Sequence, residues 1–185
     1  MAHKPADAAA LALQLLVLRC QTGDERAFER LLEQFGGRTL RYLRGLVGDA
    51  AEDVQQDVWL AVYRGIGTLA APHAFRTWLF RTTRNRALDF LRRHRRETEL
   101  IDDVDVELVG GVSVVPAENT DLADAALDSI DQLAPAHREV LLLRYRDDMN
   151  YEQMALVIGC SVGTVRSRLH YAKQRLHQAI TGRNQ

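Results

Sequence analysis

Cysteine is scarce in this chain: Cys20 and Cys160 are the only two, too far apart for a metal-ligand spacing. They read as buried thiols of a reducing cytoplasm rather than a disulfide framework. Proline is confined to four positions, aromatic residues make up 6%, and runs of β-branched residues are rare. Ala, Leu, Arg and Glu abound instead, so helix is the expected default. No apolar run is long enough to cross a bilayer, and no membrane insertion is expected. Residues 8–18 imitate the core of a signal peptide, but Gln14 interrupts them, Arg19 follows, and no small-x-small cleavage site appears. They read as a helix of the mature protein. The chemistry-bearing clusters of many enzymes are missing too. Six histidines (His3, His73, His94, His137, His170 and His177) form no metal constellation, and no glycine-rich phosphate loop or Ser/His/Asp signature occurs. Catalysis, metal and cofactor are therefore not expected.

Positive charge is absent from one long stretch. Between residues 97 and 135 there is no Lys or Arg, while eleven acids lie there, from Glu97 to Asp131. Upstream, residues 76–96 hold eight arginines against the single acid Asp89. Downstream, residues 161–185 hold Arg166, Arg168, Lys173, Arg175 and Arg183 against none. Two basic blocks flank an acidic one, and the formal net charge of -1 hides the division. Local patches, not the total, set an electrostatic footprint for nucleic acid.

The first third reads as consecutive amphipathic helices. Leu11, Leu15 and Leu18 share one face, taken as the packed one, before a break at Thr22-Gly23. Asp24 suits the N-cap of a helix through Phe28, Leu31, Leu32 and Phe35, with Gly36-Gly37 expected to interrupt it. Leu40, Leu43 and Val47 resume the pattern until Gly48. Asp49 then reads as the cap of a helix to about Arg64, with Val54, Val58, Ala61 and Val62 as its core line. A loop with Gly65, Gly67 and Pro72 leads to a long arginine-rich helix over about 74–96. Its apolar stripe is Phe75, Leu79, Thr83 and Phe90. Helical periodicity then fades into an acidic linker over 98–121 and returns near Leu122. The expectation is an all-α chain: two small helical domains, 1–97 and 122–185, joined by a flexible acidic tether.

The second domain carries the sharper motif. Residues 151–158 form a short helix with Met154, Ala155 and Ile158 toward a core. Gly159 suits the left-handed residue that ends it, and Ser161 suits the next N-cap. Helix, glycine-containing turn and basic helix make a helix-turn-helix. At 100° per residue, Val165, Leu169, Ala172 and Leu176 fall within about 60° of one another as the buried stripe. The opposite side presents Gly163, Ser167, His170, Tyr171 and Gln174. Arg166 and Lys173 line one flank, Arg168 and Arg175 the other, with Thr164 near the centre. Hydroxyl, amide and ring groups would then face base edges while cations reach both phosphate strands. An ordinary surface helix with a solvated basic face is the competing reading. The agreement of turn, cap, stripe and flanks weighs against it.

The stretch "LAPAHREVLLLRYRDDMNYEQMALVIGCSVGTVRSRLHYAKQRL" resembles the second DNA-binding domain of bacterial sigma-70 family RNA polymerase sigma factors of the extracytoplasmic-function group. "GDERAFERLLEQFGGRTLRYL", "GDAAEDVQQDVWLAVYRG" and "AFRTWLFRTTRNRALDFLRRHRR" resemble that group's region two, in order and at the usual spacing. The resemblance spans nearly the whole chain except the N-terminal tail and the linker. It implies a cytoplasmic transcription initiation factor that binds core RNA polymerase. Such a factor reads the minus-thirty-five promoter element as duplex DNA and opens the minus-ten element as single strands. An anti-sigma protein as inhibitor is implied by the family alone.

The residues are expected to divide these tasks. Asp53, Gln56, Asp57 and Leu60 make an acidic helix face with an apolar residue in it, which resemblance assigns to polymerase docking. A merely solvated acidic face is the alternative. Trp78, Arg81, Asn85 and Arg92 lie away from the apolar stripe of the arginine-rich helix and suit an opened strand. Rings there stack on bases and cations follow the backbone. Trp78 has a competing place half-buried against the preceding helix. Thr164, Arg166, Ser167, Arg168, His170, Tyr171 and Lys173 are expected on the duplex. The loop "GTLAAPH", residues 67–73, corresponds to the segment that captures a flipped base, and the linker to a tether threading polymerase channels. A conventional dimeric helix-turn-helix regulator is the rival function. It would have no use for the Trp78–Asn85–Arg92 face.

Overall fold

A computed structural model describes residues 5–99 and 133–182, and among them every regular element is helical. Helix α1 is Pro5–Gln21, α2 Glu25–Val47, α3 Ala51–Gly65 and α4 Phe75–Glu99. Short 3-10 turns precede α3 and α4 at Gly48–Ala50 and Pro72–Ala74, and another at Ile66–Thr68 follows α3. Helix α5 is Pro135–Leu141, running on into a π turn at Leu142–Arg146; α6 is Tyr151–Ile158 and α7 is Val162–Gly182. Apart from its first two residues, the predicted acidic linker lies outside the described residues, as does the helical pattern expected from Leu122.

Helices α1 to α4 surround one core built from Val17, Leu31, Phe35, Leu43, Val54, Val58, Val62, Phe75 and Leu79, all buried. Asp24 caps α2 as expected, its Oδ1 accepting from Ala27 N at 3.0 Å. Three local expectations are corrected. Helix α2 runs unbroken through Gly36-Gly37. Two glycines cost a helix about 1 kcal/mol each relative to alanine. The buried line Leu31, Phe35, Thr39, Tyr42 and Leu43 on both sides fixes the helix regardless. Asp49 does not cap α3; it lies in the 3-10 turn, and Ala50 occupies the capping position without a side-chain bond. Leu11, Leu15 and Leu18 are exposed rather than packed. Leu13, Leu16, Val17 and Cys20 face the core instead. The spacing 13, 17, 20 is as helical as 11, 15, 18, so periodicity could not choose between two apolar faces.

The second core is shared by both halves of the chain. Leu133, Val140, Leu143, Met149, Met154, Val157, Val165, Leu169 and Ala172 pack with Tyr42 of α2 and Phe80 of α4. The two rings meet edge to face, centroids 5.4 Å apart. Polar groups seal the seam around them. The Glu139 carboxylate, 4% exposed, accepts from the Tyr42 hydroxyl at 2.6 Å and from Arg84 Nε at 2.8 Å. Arg138 donates to the Gly45 carbonyl at 3.3 Å, and Arg76 to the Asp147 carbonyl at 3.2 Å. Burial first, and the Glu139 carboxylate second, push the Tyr42 hydroxyl well above its ordinary pKa, so it remains a donor. Helices α5 to α7 are thus seated directly on α2 and α4.

Candidate nucleic-acid interface

The turn of the helix-turn-helix is built from local hydrogen bonds. Asn150 opens α6 with a capping box: its Oδ1 accepts from Gln153 N at 2.8 Å, and Gln153 Oε1 accepts from Asn150 N at 3.0 Å. Gly159 ends the helix in the left-handed region, φ 74° and ψ 41°, with its N–H donating to the Ala155 carbonyl. Ser161 Oγ accepts from Thr164 N at 3.1 Å and so caps α7. The predicted stripe Val165, Leu169 and Ala172 is buried, with Leu176 packed beside it. Burial of that stripe aims the opposite side of α7 outward.

On that side, Arg166, Ser167, His170, Tyr171 and Lys173 are exposed, while Thr164 and Arg168 are half-buried. Thr164 and Ser167 hydroxyls are already engaged, with Ser161 Oγ and the Thr164 carbonyl respectively. His170 and Tyr171 stack edge to face at 5.5 Å and stand together at the centre. Three aromatic–cation contacts lie along the Arg166–Lys173 flank of α7. Arg166 and Arg144 lie over the Tyr151 ring at 5.7 and 5.5 Å, and Lys173 lies over Tyr145 at 5.6 Å. Sequence reasoning missed Arg144, Tyr145 and Tyr151, although the interleaved run "RYRDDMNY" carried the signal.

The arginine-rich helix divides its charges between two duties. Arg81, Asn85 and Arg92 are exposed on one side of α4, Arg92 paired with Asp89 at 3.1 Å. Trp78 is half-buried beside Phe75, at 6.1 Å between ring centroids, with its ring edge against Gly65. A Cβ on Gly65 would stand 3.1 Å from that ring, so glycine there makes room for the indole. Trp78 therefore packs partly into the first core and is only partly open to the face it shares with Asn85. Arg76 and Arg84 are held at the seam described above.

On α3, Asp53, Gln56, Asp57 and Leu60 are all exposed, Leu60 at 53%. Tyr63 extends this surface, its ring edge on Phe28 at 5.1 Å. Between α3 and α4 runs a groove of about 740 Å³ whose lining joins Asp57 and Leu60 to Arg64, Arg86, Arg92 and Arg96. Of the two predicted faces of the first domain, it takes in Asp57 and Leu60 of the one and Arg92 of the other. The loop 67–73 beyond α3 is pinned at its start, where Gln21 Nε2 donates to the Ile66 and Leu69 carbonyls at 3.0 and 2.8 Å. Among the described residues, no cluster of His, Cys, Asp or Glu is placed to hold a metal ion, and no helix is long and apolar enough to cross a membrane.

Comparison with known proteins adds the following. The profile described as Sigma-70 region 2 matches residues 31–97, and that described as Sigma-70, region 4 matches residues 123–176. The chain is 34% identical over 179 residues to the RNA polymerase sigma-H factor of Pseudomonas aeruginosa, covering 90% of this chain and 93% of that one. It is 32% identical to the ECF RNA polymerase sigma-E factor of Haemophilus influenzae, covering 90% and 94%. Among solved structures, the sigma factor RpoE in complex with the anti-sigma factor NepR from Bartonella quintana is similar with a TM-score of 0.71 and 25% identity. That match covers 83% of this chain and 96% of RpoE. CnrH, solved with the cytosolic domain of CnrY, shares the fold with a TM-score of 0.64 at 23% identity, covering 92% and 98%.

Proposed function

The chain belongs to the extracytoplasmic-function group of sigma-70 RNA polymerase sigma factors, and on that premise we propose how its residues divide the work of initiation. It is a transcription initiation factor that directs core RNA polymerase to promoters. The polymerase supplies the chemistry; this chain supplies recognition, in the cytoplasm. Residues 1–97 form the domain that docks on polymerase and holds the opened minus-ten strand, 98–121 the acidic linker, and 122–185 the domain that reads the minus-thirty-five duplex.

The observation that carries this division is the exposure of three separate faces on a closed fold. Asp53, Gln56, Asp57 and Leu60 offer a polymerase-docking surface on α3, acidic with an apolar residue in it. Arg81, Asn85, Arg92 and the open part of Trp78 offer hydrogen bonds, charge and a ring to single-stranded DNA on α4. On α7, His170 and Tyr171 are the best placed for base edges, because the Thr164 and Ser167 hydroxyls already have partners within the helix. Arg166, Arg168 and Lys173 address phosphates. A dimeric regulator would need neither of the first two faces. An anti-sigma protein is proposed as a further partner, as the Bartonella quintana factor has one.

Binding of the full chain to core RNA polymerase tests the reading, with Asp53→Lys/Asp57→Lys as the variant. Tight binding lost in the double variant is expected. Polymerase binding that survives both reversals would remove α3 from the docking surface. Dimerisation with polymerase-independent operator binding would overturn the assignment of roles altogether.

A further inference from the structure

The cations along one flank of α7 are held by rings rather than by acids. Among the described residues, Arg19, Arg44, Arg84, Arg92 and Arg93 each pair with a carboxylate, whereas no ion pair involves Arg144, Arg166 or Lys173. Arg144 and Arg166 instead each lie over the Tyr151 ring, and Lys173 lies over the Tyr145 ring. Polar interaction with the Tyr145 hydroxyl raises the Lys173 pKa. Arg144 is further anchored by Nη1 donating to the Met149 carbonyl at 2.9 Å. The π turn at Leu142–Arg146 produces this layout, because Leu143 enters the core while Arg144 and Tyr145 stay at the surface beside α7.

A carboxylate partner would cancel a cation's field and occupy its donors. An aromatic shelf restricts the side chain while leaving the charge intact. A guanidinium lying face-on to a ring keeps its N–H edge pointing outward, the orientation that bonds phosphate oxygens. Arg166 and Lys173 are seven residues apart on α7, about 10 Å along its axis and on the same side. Successive phosphates of one strand advance about 3.4 Å along a duplex, so the two cations address different phosphates. Arg144 extends the row beyond the helix-turn-helix itself.

We propose that Tyr145 and Tyr151 are positioning residues which pre-set Arg144, Arg166 and Lys173 against one phosphate strand, and that Arg144 is a phosphate contact additional to those on α7. This rests on the reading of α7 as the duplex-binding helix. The row positions the protein and carries no base preference, so a mixed-sequence duplex suffices as probe.

The test is the salt dependence of duplex binding by the full chain, with circular dichroism confirming the fold of each variant. Arg144→Gln keeps a donor for the Met149 carbonyl and is expected to make the log-affinity against log-salt slope shallower by about 0.9, one phosphate's share. Tyr151→Leu is expected to lower it by up to about twice that, and Tyr151→Phe, which keeps the ring, to restore the parental slope. Arg166→Gln serves as the control for the underlying reading. A slope lowered by Arg166→Gln but unmoved by Arg144→Gln overturns the proposal alone. A slope unmoved by either overturns the duplex reading of this face as well. An unchanged slope with weakened core-polymerase binding assigns the patch to a protein contact and equally sinks the proposal. Should Tyr151→Leu fail to fold, Arg144→Gln and Tyr151→Phe still decide it, since a phenylalanine that loses the slope refutes the shelf.

Discussion

Replacing Tyr42 with phenylalanine removes one oxygen atom from the seam between the two helical groups. The ring itself is 1% exposed and packs on Phe80, and Phe preserves that contact. What disappears is the 2.6 Å hydrogen bond to a carboxylate that is 4% exposed. A hydrogen bond to a charged acceptor contributes about 1.5–3 kcal/mol. Glu139 keeps Arg84 at 2.8 Å, so its charge is not left unpaired, and the expected loss is about 2 kcal/mol. Arg84→Met should cost more, because a buried carboxylate stripped of its cation loses about 3–5 kcal/mol. The arginine side chain is 21% exposed, and solvent reaching it places the effect at the lower end of that range. Removing both partners should cost more than the two single losses added, since each donor covers for the other's absence. Urea unfolding of the full chain, with all four proteins compared, measures the cycle. Tyr42→Phe within about 0.5 kcal/mol of the parent would show that water satisfies Glu139 and that the seam is not closed as described.

Two further outcomes follow from single residues. Burial raises the Asp147 carboxyl to about 6 despite the opposing pull of Arg38, Arg76, Arg41 and Arg146. Its folded pKa lies above the ordinary 3.8, so its contribution is fully present below 3.8 and is lost as pH rises through about 6. The whole swing is at most about 3 kcal/mol. Asp147→Asn should flatten thermal stability across that window, and a parent chain with no slope there would refute the burial argument. Gly159→Ala places a Cβ on a residue at φ 74° with no atom near enough to clash. Its cost is therefore purely conformational, about 1–2 kcal/mol, read as a lowered unfolding midpoint with the exposed side chains of α7 untouched.

How much of this was legible depended on whether one stretch of sequence offered one face or two. The helix-turn-helix was read nearly residue by residue, because Gly159, Ser161 and the Val165–Leu169–Ala172 stripe are local signals that agree. Helix α1 was misread because leucines occupy two faces, and only packing against α2 selects Val17 and Cys20. Gly36-Gly37 looked like a break because propensity was weighed without the buried residues that hold α2 straight across it. The seam was invisible. Tyr42, Arg84 and Glu139 are distant in sequence, and a buried ion pair leaves no periodic trace. Tyr145 and Tyr151 carried no role in the sequence reading, because their contacts with Lys173 and Arg166 cross from one element to another.

The seam also changes what the arginine block means. Taking Arg76 as zero and advancing 100° per residue along α4, Phe80 and Arg84 fall at about 40° and 80°. Phe75, Leu79 and Thr83 fall between about 260° and 340°, toward the first core. Arg81, Arg92 and Asn85 occupy about 140° to 180°, the sector outside both, and Trp78 at about 200° borders it while packing partly on the first core. One helix thus serves a core, a junction and an exposed polar sector, the one proposed above for the opened strand. Its eight arginines cannot be counted as eight phosphate ligands, because Arg84 is committed to Glu139 and Arg76 to the Asp147 carbonyl. The same partition lets the second domain sit on α2 and α4 while the Asn85 sector stays open to solvent. Closure of the seam and exposure of the Asn85 sector are therefore compatible within the region the structure describes, and loosening the seam through Tyr42 should leave that sector chemically unchanged.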